Sequence, residues 1–242
     1  MPVASSPSEP SEAAAPVADF LCEIDALLTA HDCRALDRVG PLVAAGRASR
    51  AVVRRVALEH YYVEKWTTPE LAVLIANAPD VYRFTMEHST HYRHWARRFA
   101  EVTGYLGPSN QVHATLEWCR RVGLSDDDVR AYTPLPQTIA MICTMTFYAR
   151  RSYEEGIAVF AYAADRIGTG AAAARRLGEA LQAHYGVTEP KLGPGGDATQ
   201  DGAELFAAVA VTRPVQERCR DAVRNVVLTA ECRVRAMNRW LE

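Results

Sequence analysis

The chain has 242 residues, 49% of them hydrophobic and 23% charged, with a net charge of −2. That length allows one large domain with a full core, and that composition excludes a chain too polar to fold. A charge so near zero excludes whole-protein attraction to nucleic acid or anionic lipid, and no apolar run reaches the ~20 residues of a membrane span.

Pro2 to Pro16 is built from Ser, Pro, Glu, Ala and Val, with neither a basic start nor an apolar centre. It reads as a disordered tail, residues 1–16, rather than a signal peptide, which places the chain in the cytoplasm. From Asp19 to Thr29, Phe20, Ile24, Leu27 and Leu28 share one helical stripe. A second helix is expected from Arg47 to Trp66. Thr68-Pro69-Glu70 then starts a short third helix, with Thr68 as cap and Pro69 in the first turn, and Pro79-Asp80 breaks it.

A long helix is expected from about Val81 to Thr103, stopping at Gly104. The next starts at Pro108-Ser109-Asn110 and ends at Gly123. Ser125 caps a short helix whose first turn carries Asp126, Asp127 and Asp128. Pro134 and Pro136 precede a long apolar helix from about Thr138 to Arg166. Ala171 to His184 is helical and stops at Tyr185-Gly186. A turn-rich loop over Glu189 to Gly196 leads to a helix from about Asp197 to Val211, and a final helix follows Pro214 to about Trp240. No strand and no repeat stands out. The expected fold class is all-α, a single-domain helical bundle over residues 17–242.

Six cysteines, Cys22, Cys33, Cys119, Cys143, Cys219 and Cys232, form no CxxC pair. They read as buried free thiols of a reducing compartment, with Cys143 the candidate if one is reactive.

Several groups could carry chemistry. Asp197, Asp201 and Glu204 have the i, i+4, i+7 spacing of one helix face. They read either as a cluster for metal or substrate, or as acidic residues favoured by the positive helix N-terminus. Glu101 and His113 flank a helix break, and Asp165 closes another helix. Glu87, His91, His94, Arg98 and Glu101 fall within about 80° of one face at ~100° per residue. His91 and His94 could chelate a metal with Glu87, or the stripe is a solvated face beside Arg93 and Arg97. His60, Tyr61, Tyr62 and Glu64 cluster in the second helix. The tyrosines there could donate a hydrogen bond or a redox-active phenol, or serve as packing aromatics. His184 reads as a helix-end residue. Leu192 to Gly196 lacks the Lys-Ser/Thr of a phosphate loop, and neither GxSxG nor HExxH occurs.

Three segments in order carry a resemblance: RRFAEVTGYLGPSNQVHATLEW, GLSDDDVRAYTPLPQT and EALQAHYGV. Together, over residues 35–240, they resemble the haem-oxygenase-like superfamily, which includes pyrroloquinoline-quinone synthase C and the TenA-like proteins. The branch most similar is that of the haem-oxygenase-like diiron oxidases. That resemblance implies an oxidase or oxygenase using dioxygen on a small amino-acid-like or biosynthetic-pathway substrate, serving specialised metabolism. It implies iron, as two ions, held by Glu101, His113, Asp165 and Asp201, with Asp197 and Glu204 standing where the branch carries histidines. A carboxylate-rich set also suits manganese. The substitution of both histidines leaves a metal-free member as the alternative, doing cofactor-independent oxidation, lyase or cyclisation chemistry, and a non-catalytic binding protein as a further one. In this superfamily the helix holding His60, Tyr61 and Tyr62 lines the pocket, which implies catalytic roles for them. The expected partners are a small substrate, dioxygen and a second copy of the chain, without nucleic acid or membrane.

Overall fold

A computed structural model describes residues 13–34, 38–79, 111–167, 171–187 and 197–241. Helix α1 spans Val17–Thr29, α2 Val39–Ala44, α3 Arg50–Ala76, α4 Gln111–Arg121, α5 Asp126–Ala131 and α6 Pro136–Arg151. A continuous helical run follows: α7 over Tyr153–Gly156, a π-helical stretch over Ile157–Ala163, and α8 over Ala164–Ile167. Then come α9 over Ala171–Tyr185, α10 over Asp197–Val209 and α11 over Arg213–Asn238. No strand occurs among the described residues, as the all-α expectation requires. None of the described helices is long and apolar enough to cross a membrane.

The expected Phe20, Ile24 and Leu28 stripe is the buried face of α1. Ser125 caps α5 with a full capping box, its hydroxyl accepting from the Asp128 N–H while the Asp128 carboxylate accepts from the Ser125 N–H. α4 ends where Gly123 takes a φ of +84°, a left-handed conformation that favours glycine. Arg54 closes this end by donating to the Val122 carbonyl at 2.8 Å. Of the expected N-terminal tail, residues 1–12 lie outside the described ones. Ala15 is tied down, exchanging hydrogen bonds with the Gln216 amide at 3.1 and 2.9 Å. The helix expected over Val81 to Thr103 also lies outside the described residues.

Two expected boundaries are corrected. Pro69 does not start a helix; it sits inside the 27-residue α3. Proline removes one backbone donor and crowds the preceding turn. Burial on both sides of it, at Val56, Ala57 and Leu58 before and Leu71 and Leu74 after, holds the helix continuous. The single helix expected from Thr138 to Arg166 is broken instead at Ser152, which is extended (φ −157°, ψ 159°). The Asn77 amide donates to the last carbonyls of α6, Ala149 at 2.6 Å and Arg150 at 3.3 Å. The Ser152 hydroxyl then caps α7 by accepting from the Glu155 N–H. Glu155, fully buried, is ion-paired with Arg151 across the break.

Two apolar clusters make the core. One gathers α1, the end of α3, α6, the run from α7 to α8, α10 and α11, around Phe20, Leu74, Tyr162 and Phe206. The other gathers α2, the start of α3, α4 and α9, around Val53, Trp118 and Leu181. α3 contributes Val52 to Leu58 to the second cluster and Leu71 and Leu74 to the first. The buried polar residues of α3 lie between these two stretches.

Candidate functional site

Four ionisable residues of α3 are turned inward at this junction: Glu59, His60, Glu64 and Glu70. Glu59 is fully buried, and Glu64 and Glu70 nearly so, at 9% and 5% exposure. A helix that places carboxylates in its buried face must supply each with donors. Glu59 has them in abundance. The Tyr132 hydroxyl donates to Oε1 at 2.5 Å and the Leu135 backbone N–H at 2.7 Å, while the Thr138 hydroxyl donates to Oε2. Arg233 of α11 lies alongside, its Nε 4.0 Å from Glu59 Oε2 and donating to Thr138 Oγ1 at 3.1 Å. Burial and the Glu59 carboxylate push the Tyr132 phenol well above its ordinary range. Burial draws the Arg233 guanidinium down, against the pull of Glu59 and Glu64.

His60 is the group of greatest chemical interest. Its side chain is 23% exposed overall, yet its Nε2 atom is covered and has no hydrogen-bond partner. The ring meets Trp118 of α4 edge-on at 5.7 Å between centroids, and Nε2 lies 3.8 Å from Glu64 Oε1. Burial, and then the charge of Arg233, holds the imidazole down to about 4, so it is neutral at physiological pH. The Trp118 indole N–H, in a side chain 2% exposed, is likewise without a partner. Further along α3, Glu70 accepts from the Thr146 hydroxyl at 3.0 Å. Burial outweighs that bond, and with the repulsion of Glu64 it pushes Glu70 up to about 8.

Of the other residues expected to act here, Tyr61 is half-buried and packs on the second cluster. Tyr62 is half-buried too, its ring 6.5 Å from Trp66 and covered on one face by Lys65 Nζ at 4.3 Å. Sequence reasoning singled out His60 and Glu64 but missed Glu59, Glu70, Trp118 and Arg233. Glu59 and Glu70 did carry a signal, being acidic residues inside an otherwise apolar helical stripe.

The expected iron ligands are spread over several elements. Glu101, and the Glu87, His91 and His94 stripe, lie outside the described residues. His113 is on α4 with its side chain exposed, and Glu204 is exposed on α10. Asp165 belongs to α8, and Asp197 and Asp201 to the start of α10; α8 and α10 pack against each other. Their side chains are not among the described ones. Among the described residues no three His, Cys, Asp or Glu side chains gather to hold a metal ion.

The thiols depart from the expectation of uniform burial. Cys33, Cys119 and Cys219 are buried, while Cys22, Cys143 and Cys232 are exposed because they fall on the outer faces of α1, α6 and α11. Burial pushes Cys119 and Cys219 up to about 12, which makes them inert. Cys143 lines an open groove between α6 and α11 with Phe147, Leu228 and Cys232. His184 is exposed in the last turn of α9, and its neighbour Tyr185 anchors that turn by donating to the Ala48 carbonyl at 2.9 Å.

No protein-family profile and no curated sequence relative matches the chain. Solved structures do. A TenA homologue from Pseudomonas syringae pv. tomato aligns over 99% of both chains with a TM-score of 0.64 at 12% identity. A domain of unknown function with a haem-oxygenase-like fold, from Shewanella denitrificans, aligns over 92% of this chain and 90% of its own with a TM-score of 0.61 at 14% identity. A TenA family transcription regulator from a Silicibacter species aligns over 91% of this chain and 97% of its own, with a TM-score of 0.59 at 11% identity. At such identities the likeness establishes architecture and not activity. The protein has the haem-oxygenase-like fold.

Proposed function

We propose that the protein is an enzyme that holds a small molecule against the polar face of α3, with His60 as the group that takes a proton from it. The observation that carries this reading is the His60 Nε2 atom, covered and without a hydrogen-bond partner in an imidazole kept neutral. A neutral imidazole accepts a proton at that atom, and Glu64 at 3.8 Å then faces the imidazolium it becomes. The edge of Trp118 fixes the ring plane. Proton removal is the opening step shared by elimination, by cyclisation and by the reaction of an electron-rich carbon with dioxygen.

The test is an untargeted mass-spectrometric comparison of a metabolite pool after incubation with wild type and with His60→Gln, in air and without oxygen. Wild type depletes at least one compound and the variant loses that activity by about a hundredfold or more, within the usual range for a lost acid–base group. Equal depletion by both proteins would sink the assignment. Dependence on air identifies an oxidation.

A second reading, oxidation at iron, is favoured by the packing of α8, which carries Asp165, on α10, which carries Asp197, Asp201 and Glu204. In it Glu101, His113, Asp165, Asp197, Asp201 and Glu204 hold the metal, which would activate dioxygen. Metal analysis of protein purified without oxygen and supplied with ferrous iron decides it. Two irons per chain, lost in Asp197→Ala and Glu204→Ala, support this reading; no retained iron or manganese rejects it.

A further inference from the structure

From Pro136 to Ala149, α6 carries no charged residue, yet Ile139, Ala140, Cys143 and Phe147 are exposed. Ile139, Cys143 and Phe147 follow the i, i+4, i+8 spacing of a single stripe. Phe147 is 56% exposed and Ile139 38%, and Leu228 of the neighbouring α11 is 42% exposed. These are three of the five large apolar side chains exposed among the described residues. A helix that is apolar on every side belongs in an interior. The inner side of α6 is already buried, through Met141, Ile142 and Met145. Its outer side calls for a cover of its own.

α11 continues the same patch. Its exposed positions from Glu217 to Arg224 are all charged, and so is Arg235. Between them Asn225, Leu228 and Cys232 are exposed and uncharged. They form one wall of the groove that Cys143 and Phe147 line from α6. The two charges within this stretch are turned away from it, Glu231 to His31 and Arg233 to Thr138 and Glu59.

Three features select what covers this face. Its centre is uncharged, so a strongly acidic or basic partner finds no counter-charge there, whereas an identical face meets it without repulsion. It carries both a projecting side chain, Phe147, and beside it a groove of about 520 Å³ that can receive one, which makes the surface its own complement. Each end of the patch carries a charge pair of both signs, Asp221–Arg224 at 3.0 Å and Glu231–Arg235 at 2.6 Å. A two-fold axis through the middle sets each end of one copy against the opposite end of the other. Opposite charges are then available to each other at the rim while apolar side chains meet at the centre, the usual anatomy of an interface.

We propose that a second copy of this chain docks here, about a two-fold axis that crosses α6 beside Cys143, the middle of the stripe. Phe147 of each copy enters the other's groove, and the two Cys143 thiols come within disulfide reach. The patch is small for a permanent interface and suits a dimer of micromolar affinity. The inner side of α6 supplies Thr138 to Glu59 and Thr146 to Glu70, so pairing on the outer side leaves His60 and its surroundings untouched.

Sedimentation velocity of the full chain, from low to high micromolar concentration, tests this. The mass rises with concentration from 26.6 kDa toward twice that value. Phe147→Glu and, separately, Leu228→Glu set a carboxylate against an apolar wall of the other copy and weaken association by about a hundredfold. Both side chains are exposed in the single chain, so neither substitution disturbs its fold, which circular dichroism checks. Oxidation with copper–phenanthroline gives a covalent dimer that Cys143→Ser abolishes and Cys22→Ser retains. A chain that stays monomeric throughout overturns the proposal, as does a dimer that survives both glutamate variants or cross-links without Cys143. A monomer that takes up a hydrophobic dye, and loses that uptake in Phe147→Glu, overturns it in favour of a small apolar ligand.

Discussion

His60 and Glu70 lie ten positions apart on α3, and burial displaces both in the direction of the neutral form. Their consequences for stability are opposite in sign. The His60 imidazole takes up protons below 6.5 when unfolded but only near 4 when folded. Its contribution is therefore present above about pH 6.5 and is lost as pH falls through 4, a loss on the order of 3 kcal/mol at ~1.4 kcal/mol per pK unit. Glu70 holds its proton up to about 8 when folded and releases it near 4.5 when unfolded. Its contribution is present below about 4.5 and is lost as pH rises through 8. Between 4.5 and 6.5 the two slopes oppose each other, and from 6.5 to 8 the Glu70 slope is left alone. Glu70→Gln, which keeps the acceptor for Thr146 and cannot ionise, should leave stability at pH 5 nearly unchanged. It should raise it by roughly 4 kcal/mol at pH 8.5. Urea unfolding of the two proteins at both pH values measures this, and an equal effect at both would contradict it.

At the scale of elements, the break between α6 and α7 shows how a distant residue ends a helix. The last carbonyls of a helix have no partner within it. The Asn77 amide, from the far end of α3, supplies one to Ala149 and Arg150. Ser152 and the Arg151–Glu155 pair then restart the chain in α7. Asn77→Ala removes donors from carbonyls in a partly buried place and should cost about 1–2 kcal/mol, read as a lowered denaturant midpoint with an unchanged slope. Local sequence could not reveal this. Arg150-Arg151-Ser152 and Glu154-Glu155 do interrupt the apolar pattern, but the group that caps the end of α6 lies more than seventy positions upstream. The α5 capping box is the contrasting case, since Ser125 and Asp128 are three positions apart and their pairing is a local event.

Across the whole molecule, two apolar clusters meet along α3, and the helices on either side approach it closely. Gly156 marks one such close approach. A Cβ there would overlap Leu74 Cδ1 and lie 3.2 Å from the Ala149 backbone. Gly156→Ala should destabilise by about 1–3 kcal/mol, the usual cost of overfilling a packed core, and thermal unfolding would show it. The sequence by itself determined the helical class, the buried stripe of α1, the capped start of α5 and the stop at Gly123. All of these depend on periodicity or on residues within a turn of one another. It also singled out His60 and Glu64, whose spacing puts them on one helix face. The helix continuing through Pro69, the break at Ser152 and the outward-facing Cys143 and Cys232 were decided only by tertiary structure. So was the meeting of Arg233 and Thr138 with Glu59, from helices far apart in the chain. The physical reason is common to these cases. Which face of a helix is buried, and which polar atoms are left without partners once it is, depends on neighbours that no local pattern specifies.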